Sequence, residues 1–278
     1  MITKTPLLFL MILLMGAMPL AGRQPGPTRN KYPTRAELAQ FALRFEQLFD
    51  RCVDERSTGR RSERCADILY TLGWIYYDQA VDESQEGYLG IPPTQPQPDF
   101  SKFLQIYQLL MEEYPDVLPR VSLRMATFYI ASGKPDSAKI ILEQSLEQFP
   151  HSPFISRIHF RLADIAFTEG RFSQSYDHLQ EIRKNQIDSA SWERAHYRRG
   201  ECMYRLGNFD TAIRYFHTFV IECDARRYRR TLGLRCEAVK FIASAFSNMP
   251  DGARRWNDFS QENRDRPHIS EIEARLRF

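Results

Sequence analysis

The sequence predicts an all-α solenoid of stacked helix–turn–helix repeats, with further helices at both ends. Two observations lead there. Small residues, turn glycines and large apolar residues recur in register every 37 residues through the middle of the chain. Around them, apolar residues keep the i, i+3, i+4 spacing of a buried helical face.

Residues 1–22, "MITKTPLLFLMILLMGAMPLAG", carry one early lysine and then a mostly apolar run. The run is shorter than the ~20 residues of a membrane-spanning helix, which predicts a signal peptide and an exported chain. Cleavage is expected near Ala21 or Gly22. Pro19 fits the small-x-small rule poorly, so an uncleaved N-terminal anchor is the other reading. Residues 23–33 form a Pro-rich lead-in.

The helical domain is expected over 34–248. Thr34 and Glu37 make a capping box. They open a helix whose apolar face is Leu38, Phe41, Ala42, Phe45, Leu48, Phe49 and Cys52. After the loop "DERSTGRRSER" a second helix is predicted from about Cys65 to Tyr77. Residues 78–99 hold four prolines and read as an insertion loop. This is either a polyproline II docking strip or a tolerated surface loop.

Ala126, Ala163 and Gly200 then recur at 37 residues, as do Gly133, Gly170 and Gly207. Ala138, Ser175 and Ala212 keep the interval, with Leu142, Leu179 and Phe216 four residues beyond. Each unit is a first helix, a turn at the glycine and a second helix. The small residues admit the paired helix closely, and Gly207 supplies a turn of positive φ. An earlier unit pairs Gly73 and Tyr76 with Phe103, Tyr107, Leu110 and Pro115 across the insertion. Beyond Arg230, Cys236, Val239, Ile242, Ala243 and Phe246 predict a degenerate further unit. Residues 249–278 are expected to be a loop and a short capping helix, "ISEIEARLRF".

This pattern resembles the tetratricopeptide repeat family over roughly residues 64–224. A small residue, glycine seven on, alanine five further and a large apolar residue four beyond are the family's order, and Pro150 closes its unit. The period of 37 departs from the family's usual 34, and Ile187 and Asp224 stand where closing prolines would. The resemblance implies a right-handed superhelix whose first helices line a concave face that binds extended peptides or partner helices.

That face carries arginines. Six residues before each small residue stand Arg120, Arg157 and Arg194, and two before stand Arg124, Arg161 and Arg198. Each pair is i, i+4 and lies on one helix face. The adjoining units have Asp67 and Thr71, then Glu237 and Phe241. Guanidinium forks suit bidentate capture of carboxylates, which points to an acidic or C-terminal peptide segment as partner. Arg194 with Arg198 resembles half of the family's carboxylate clamp; the asparagines of the other half are missing. With Phe160, Tyr197 and Tyr204 as anchors, this is the candidate groove. The alternative is a solvated charged face in which Asp164 and Glu201 pair with Arg161 and Arg198 at i+3.

Two cysteine pairs, Cys52 with Cys65 and Cys223 with Cys236, are each thirteen apart across an inter-helix loop. In an oxidising compartment each can staple a hairpin, at about 3 kcal/mol for a ~15-residue loop. Five core thiols are the other reading; Cys202 reads as a core thiol in both. His159 and His196 share a column in which the family places a packing residue.

A net charge of +3 gives no whole-protein pull on nucleic acid or anionic lipid. The cluster "ARRYRR" at 225–230 reads as an exposed loop. H-E-x-x-H, G-x-S-x-G, P-loop and dinucleotide-binding glycine motifs are absent. The expectation is a non-catalytic adaptor of the cell envelope without cofactor or metal. It binds protein rather than nucleic acid, and meets membrane only peripherally or through an uncleaved leader. The alternative is a structural piece of a larger envelope complex, or a regulatory subunit of an envelope enzyme.

Overall fold

The computed structural model describes the backbone of residues 35–57, 63–85, 99–225 and 232–277. Residues 1–34, 58–62, 86–98, 226–231 and 278 lie outside it. Twelve α-helices and no strands occur among the described residues. They are α1 (Arg35–Ser57), α2 (Glu63–Gln85), α3 (Ser101–Glu113), α4 (Leu118–Ala131), α5 (Pro135–Gln148), α6 (Ile155–Thr168), α7 (Phe172–Gln180), α8 (Ser189–Arg205), α9 (Phe209–Asp224), α10 (Leu232–Asn248), α11 (Gly252–Glu262) and α12 (His268–Glu273).

Consecutive helices pack in antiparallel pairs: α2 with α3, α4 with α5, α6 with α7, and α8 with α9. First helices also touch across units, α4 on α6 and α8 on α10, so the hairpins stack into one all-α solenoid. α1 covers α2 at one end; α11 and α12 cover α10 at the other.

The turns repeat in detail. Gly133, Gly170 and Gly207 have φ of 71°, 76° and 75°. Each donates its N–H to the carbonyl three residues back (Ile130, Phe167, Tyr204) at 3.0–3.1 Å. The next N–H reaches five residues back (Tyr129, Ala166, Met203) at 2.8–2.9 Å. This is the Schellman closure, which satisfies the orphan carbonyls of a helix end and needs a left-handed residue. A Cβ on any of the three meets nothing within 4 Å, so conformation and not crowding selects glycine.

Gly200 answers a different demand. A Cβ there falls 2.8 Å from Phe216 Cε1, and one on Gly73 falls 3.1 Å from Ile106 and 3.2 Å from Tyr107. Ala126, Ala138, Ala163 and Ala212 are fully buried at the equivalent packing positions. Ser175, in the Ala138 column, is also fully buried and donates to the carbonyl of Ala163 at 2.8 Å.

α7 is short, nine residues, and no proline ends it. Instead the buried Arg199 guanidinium donates to the Leu179 carbonyl from Nε (3.2 Å) and Nη2 (2.6 Å). A cation at a helix C-terminus is favoured by the aligned peptide dipoles. Ser156 Oγ then holds the following 3₁₀ turn, accepting from Arg183 N at 2.9 Å and donating to Gln186 at 2.8 Å.

Three expectations are corrected. α2 continues to Gln85, so residues 78–85 are helical rather than the start of a loop. The proline-rich remainder of the insertion lies outside the described residues. Residues 252–262 are helical too: Pro250 and Asp251 precede the helix rather than breaking it, and Trp256 and Phe259 pack on Phe246 at ring separations of 5.5 and 5.3 Å. The last helix starts at His268.

The third correction concerns sulfur. Cys223 and Cys236 are free thiols. Cys223 is buried in the α9 core while Cys236 is exposed, so the two sulfurs occupy different environments and form no bond. Cys202 is free and buried, donating to Ser175 Oγ at 3.4 Å. Cys65 is buried and disulfide-bonded; the side chain of its expected partner Cys52 lies outside the described residues.

Candidate functional site

The six arginines of the ladder stand on α4, α6 and α8, and the helix before each one decides its fate. Arg120 pairs with Asp67 and lies 3.7 Å from the Tyr70 ring centroid. Arg124 donates to the Tyr70 hydroxyl at 2.8 Å and sits 3.9 Å from the Trp74 ring. Both join α4 to α2. Arg198 reaches Asp164 across the unit boundary at 3.6 Å and Glu201 on its own helix at 3.0 Å, over the Phe167 ring at 4.1 Å.

Arg157, Arg161 and Arg194 have no carboxylate within ion-pair distance among the described residues. Beneath Arg157 and Arg161, the unit before presents Leu123, Thr127 and Ile130 where the next presents Phe160, Asp164 and Phe167. Those positions hold neither an acid nor an aromatic ring; Arg157 instead lies over Phe154, at the start of its own helix, at 5.8 Å. The local i+3 pairing forms for Arg198 with Glu201; for Arg161 it does not, because Asp164 turns to Arg198. Arg157 and Arg194 are exposed and Arg161 is half-buried.

A cavity of about 270 Å³ opens between α6, α8 and α10. Phe160 and Tyr197 form its aromatic wall, Leu234 an apolar edge, and Asp164, Arg194, Arg198, Glu201 and Glu237 its charges. Burial pushes the Asp164 and Glu201 carboxyls above their ordinary values, against the pull of Arg198; Glu237 raises Glu201 further. Glu237 accepts from the Tyr197 hydroxyl at 3.2 Å.

Tyr204 is placed elsewhere. Its hydroxyl bonds Ser244 at 2.6 Å and its ring packs on Phe241 at 4.9 Å, so it ties α8 to α10. Glu237 was legible as the residue replacing arginine in the first column of the following unit. Its place across the cavity was not, since that depends on how α10 lies against α8.

The two histidines of one column part ways. His159 Nδ1 meets His178 Nδ1 at 3.2 Å. His196 packs against Tyr215 at a ring separation of 5.6 Å, with Nε2 buried and unpartnered. No group of three or more histidine, cysteine or carboxylate ligands comes together among the described residues. No helix among them is long and apolar enough to cross a membrane.

The family model described as "Tetratricopeptide repeat" matches residues 120–152 and 194–222. These stretches hold the α4/α5 and α8/α9 hairpins, and their starts lie two 37-residue intervals apart. No curated protein matches the chain. The two matched hairpins are thus similar to tetratricopeptide repeats, and the same glycine closure and small-residue packing recur in the α6/α7 hairpin between them.

Proposed function

We propose that this chain is an exported, non-catalytic scaffold of the cell envelope, holding an extended segment of a protein partner against the face built by α4, α6 and α8. Repeats of this family generally mediate protein–protein interaction, and proteins built of them are usually not catalysts. The observation that carries the groove reading is the middle of the ladder. Arg157, Arg161 and Arg194 present guanidinium groups that no carboxylate of the described residues neutralises, beside an aromatic-walled cavity. Arginine forks and aromatic anchors are the side chains that dominate protein interfaces, and a preformed rigid face lowers the ordering cost of association. The apolar leader and the disulfide at Cys65 support export.

The test replaces Arg157, Arg161 and Arg194 together with serine. We expect partner capture, read by in-cell crosslinking and mass spectrometry, to be lost while helicity and the melting temperature hold. Capture at the wild-type level would remove the groove reading. A fusion of the leader to alkaline phosphatase tests export independently; an inactive fusion overturns it.

A further inference from the structure

The first arginine column changes sign at both ends of the stack, running Asp67, Arg120, Arg157, Arg194, Glu237 from α2 to α10. The two ends are not equivalent. Asp67 is consumed by Arg120. Among the described residues Glu237 receives only the neutral Tyr197 hydroxyl, and Arg194 on the same cavity has only the Phe160 ring, which it lies over at 5.4 Å. Between them Arg198 already serves two carboxylates, Asp164 and Glu201. Among the described residues the cavity therefore holds three acids against two arginines, with Glu237 on its α10 side.

We propose that this cavity takes an arginine side chain of the bound partner, whose neighbouring acidic residue meets Arg157 and Arg161, so that the groove reads a bipolar segment. The inference rests on the groove reading above and specifies the chemistry of its partner. Size supports a single side chain: about 270 Å³ falls below the ~300–1,000 Å³ of pockets that enclose whole small ligands. Shape and charge support arginine. A planar guanidinium stacks on Phe160 or Tyr197 and donates in a fork to Glu201 and Glu237. An acidic side chain entering here meets three carboxylates, so it belongs outside the cavity, at Arg157 and Arg161, which do not line it. Packed helix axes lie about 10 Å apart, and an extended chain covers that in about three residues at ~3.3 Å each. The segment thus carries its acid about three residues from its arginine.

The probes are fluorescein-labelled twelve-residue peptides of alanine, glycine and serine. One pair carries Asp-Asp and Arg three residues apart, in either order; a control carries citrulline for arginine; another carries only Asp-Asp. Binding to the full chain is read by fluorescence anisotropy. We expect one bipolar peptide to bind at least tenfold tighter than its citrulline control. Glu237→Gln erases that difference and leaves the Asp-Asp peptide unchanged, whereas Arg157→Ser with Arg161→Ser weakens both acidic peptides. Equal binding of the arginine and citrulline peptides overturns the arginine site and spares the groove. A discrimination that survives Glu237→Gln also overturns the site. Binding of none of the peptides overturns the bipolar reading, and the crosslinking comparison above then decides separately whether the groove reading stands.

Discussion

At Gly200 the deciding quantity is the girth of the side chain opposite. Where the second helix presents Leu142 or Leu179, the first helix carries Ala126 or Ala163. Where it presents Phe216 or Tyr107, the first helix carries Gly200 or Gly73. An aromatic ring needs the space that a methyl group fills. Gly200→Ala sets a Cβ 2.8 Å from a fully buried ring walled in by Tyr197 and Phe241, which has little room to move. Overpacking of this kind costs about 1–3 kcal/mol, a fall in Tm of ~2–4 °C per kcal/mol at this size. Thermal melting by circular dichroism should show that fall in the single variant and its partial recovery in Gly200→Ala with Phe216→Leu. Absence of recovery would place the cost elsewhere. The small-residue columns were legible in the sequence; the reason glycine alternates with alanine within one column required the facing ring.

Among the elements, α8 bears the most varied contacts, because each of its faces meets a different helix. Arg199 caps α7, Arg198 reaches α6, Tyr197 reaches α10 and His196 packs toward Tyr215 of α9. His196 has been brought out of water: burial first, then the charge of Arg199, takes its pKa down to about 4. An unfolded histidine titrates near 6.5, so the unfolded chain gains this proton before the folded one does. Its share of stability is full above about 6.5 and is lost as pH falls toward 4. His217 on α9, also lowered to about 4 by burial first and then by His268, acts in the same direction. His196→Leu should therefore melt with a shallower dependence on pH between 7 and 5 than the wild type. Parallel curves would exclude a buried neutral imidazole. Asp188 caps the start of α8, its carboxylate accepting from Ser191 N at 3.0 Å; which neighbour each face of α8 meets was not legible in the sequence.

For the whole molecule, the open end of a repeat stack is a liability that a cap must close. Here the cap is held by charge as well as by Ile269 and Ile272. Arg235 of α10 donates to Glu271 of α12 through both terminal nitrogens, at 2.9 and 2.7 Å, and to Asp224 of α9 at 2.6 Å. The fully buried His268 meets the other Asp224 oxygen at 2.9 Å. The Arg235 hydrogen bonds hold Glu271 below its ordinary range. For Asp224, burial opposes the shift, but hydrogen bonds from Arg235 and His268 outweigh it. Both carboxylates stabilise the fold above about pH 4 and lose that contribution as pH drops through their depressed folded values. Arg235→Met should destabilise the chain by on the order of 2 kcal/mol and speed amide exchange first in α12. Uniform exchange along the chain would show that the network does not serve the cap.

By itself the sequence determined the helical period, the 37-residue interval, the turn glycines and the arginine columns, because each is a local rule repeated. Residues 252–262 escaped it, since Trp256 and Phe259 gain an apolar face only against Phe246 of another helix. The separation of Cys223 from Cys236, which spacing had joined, was likewise a matter of burial. The same holds for the arginines. Six of one type at one spacing are equivalent in sequence, yet three bond across to a neighbouring helix and three find no carboxylate among the described residues. Coulombic and stacking interactions act between neighbouring helices, so which arginine finds a carboxylate was decided only when the hairpins packed.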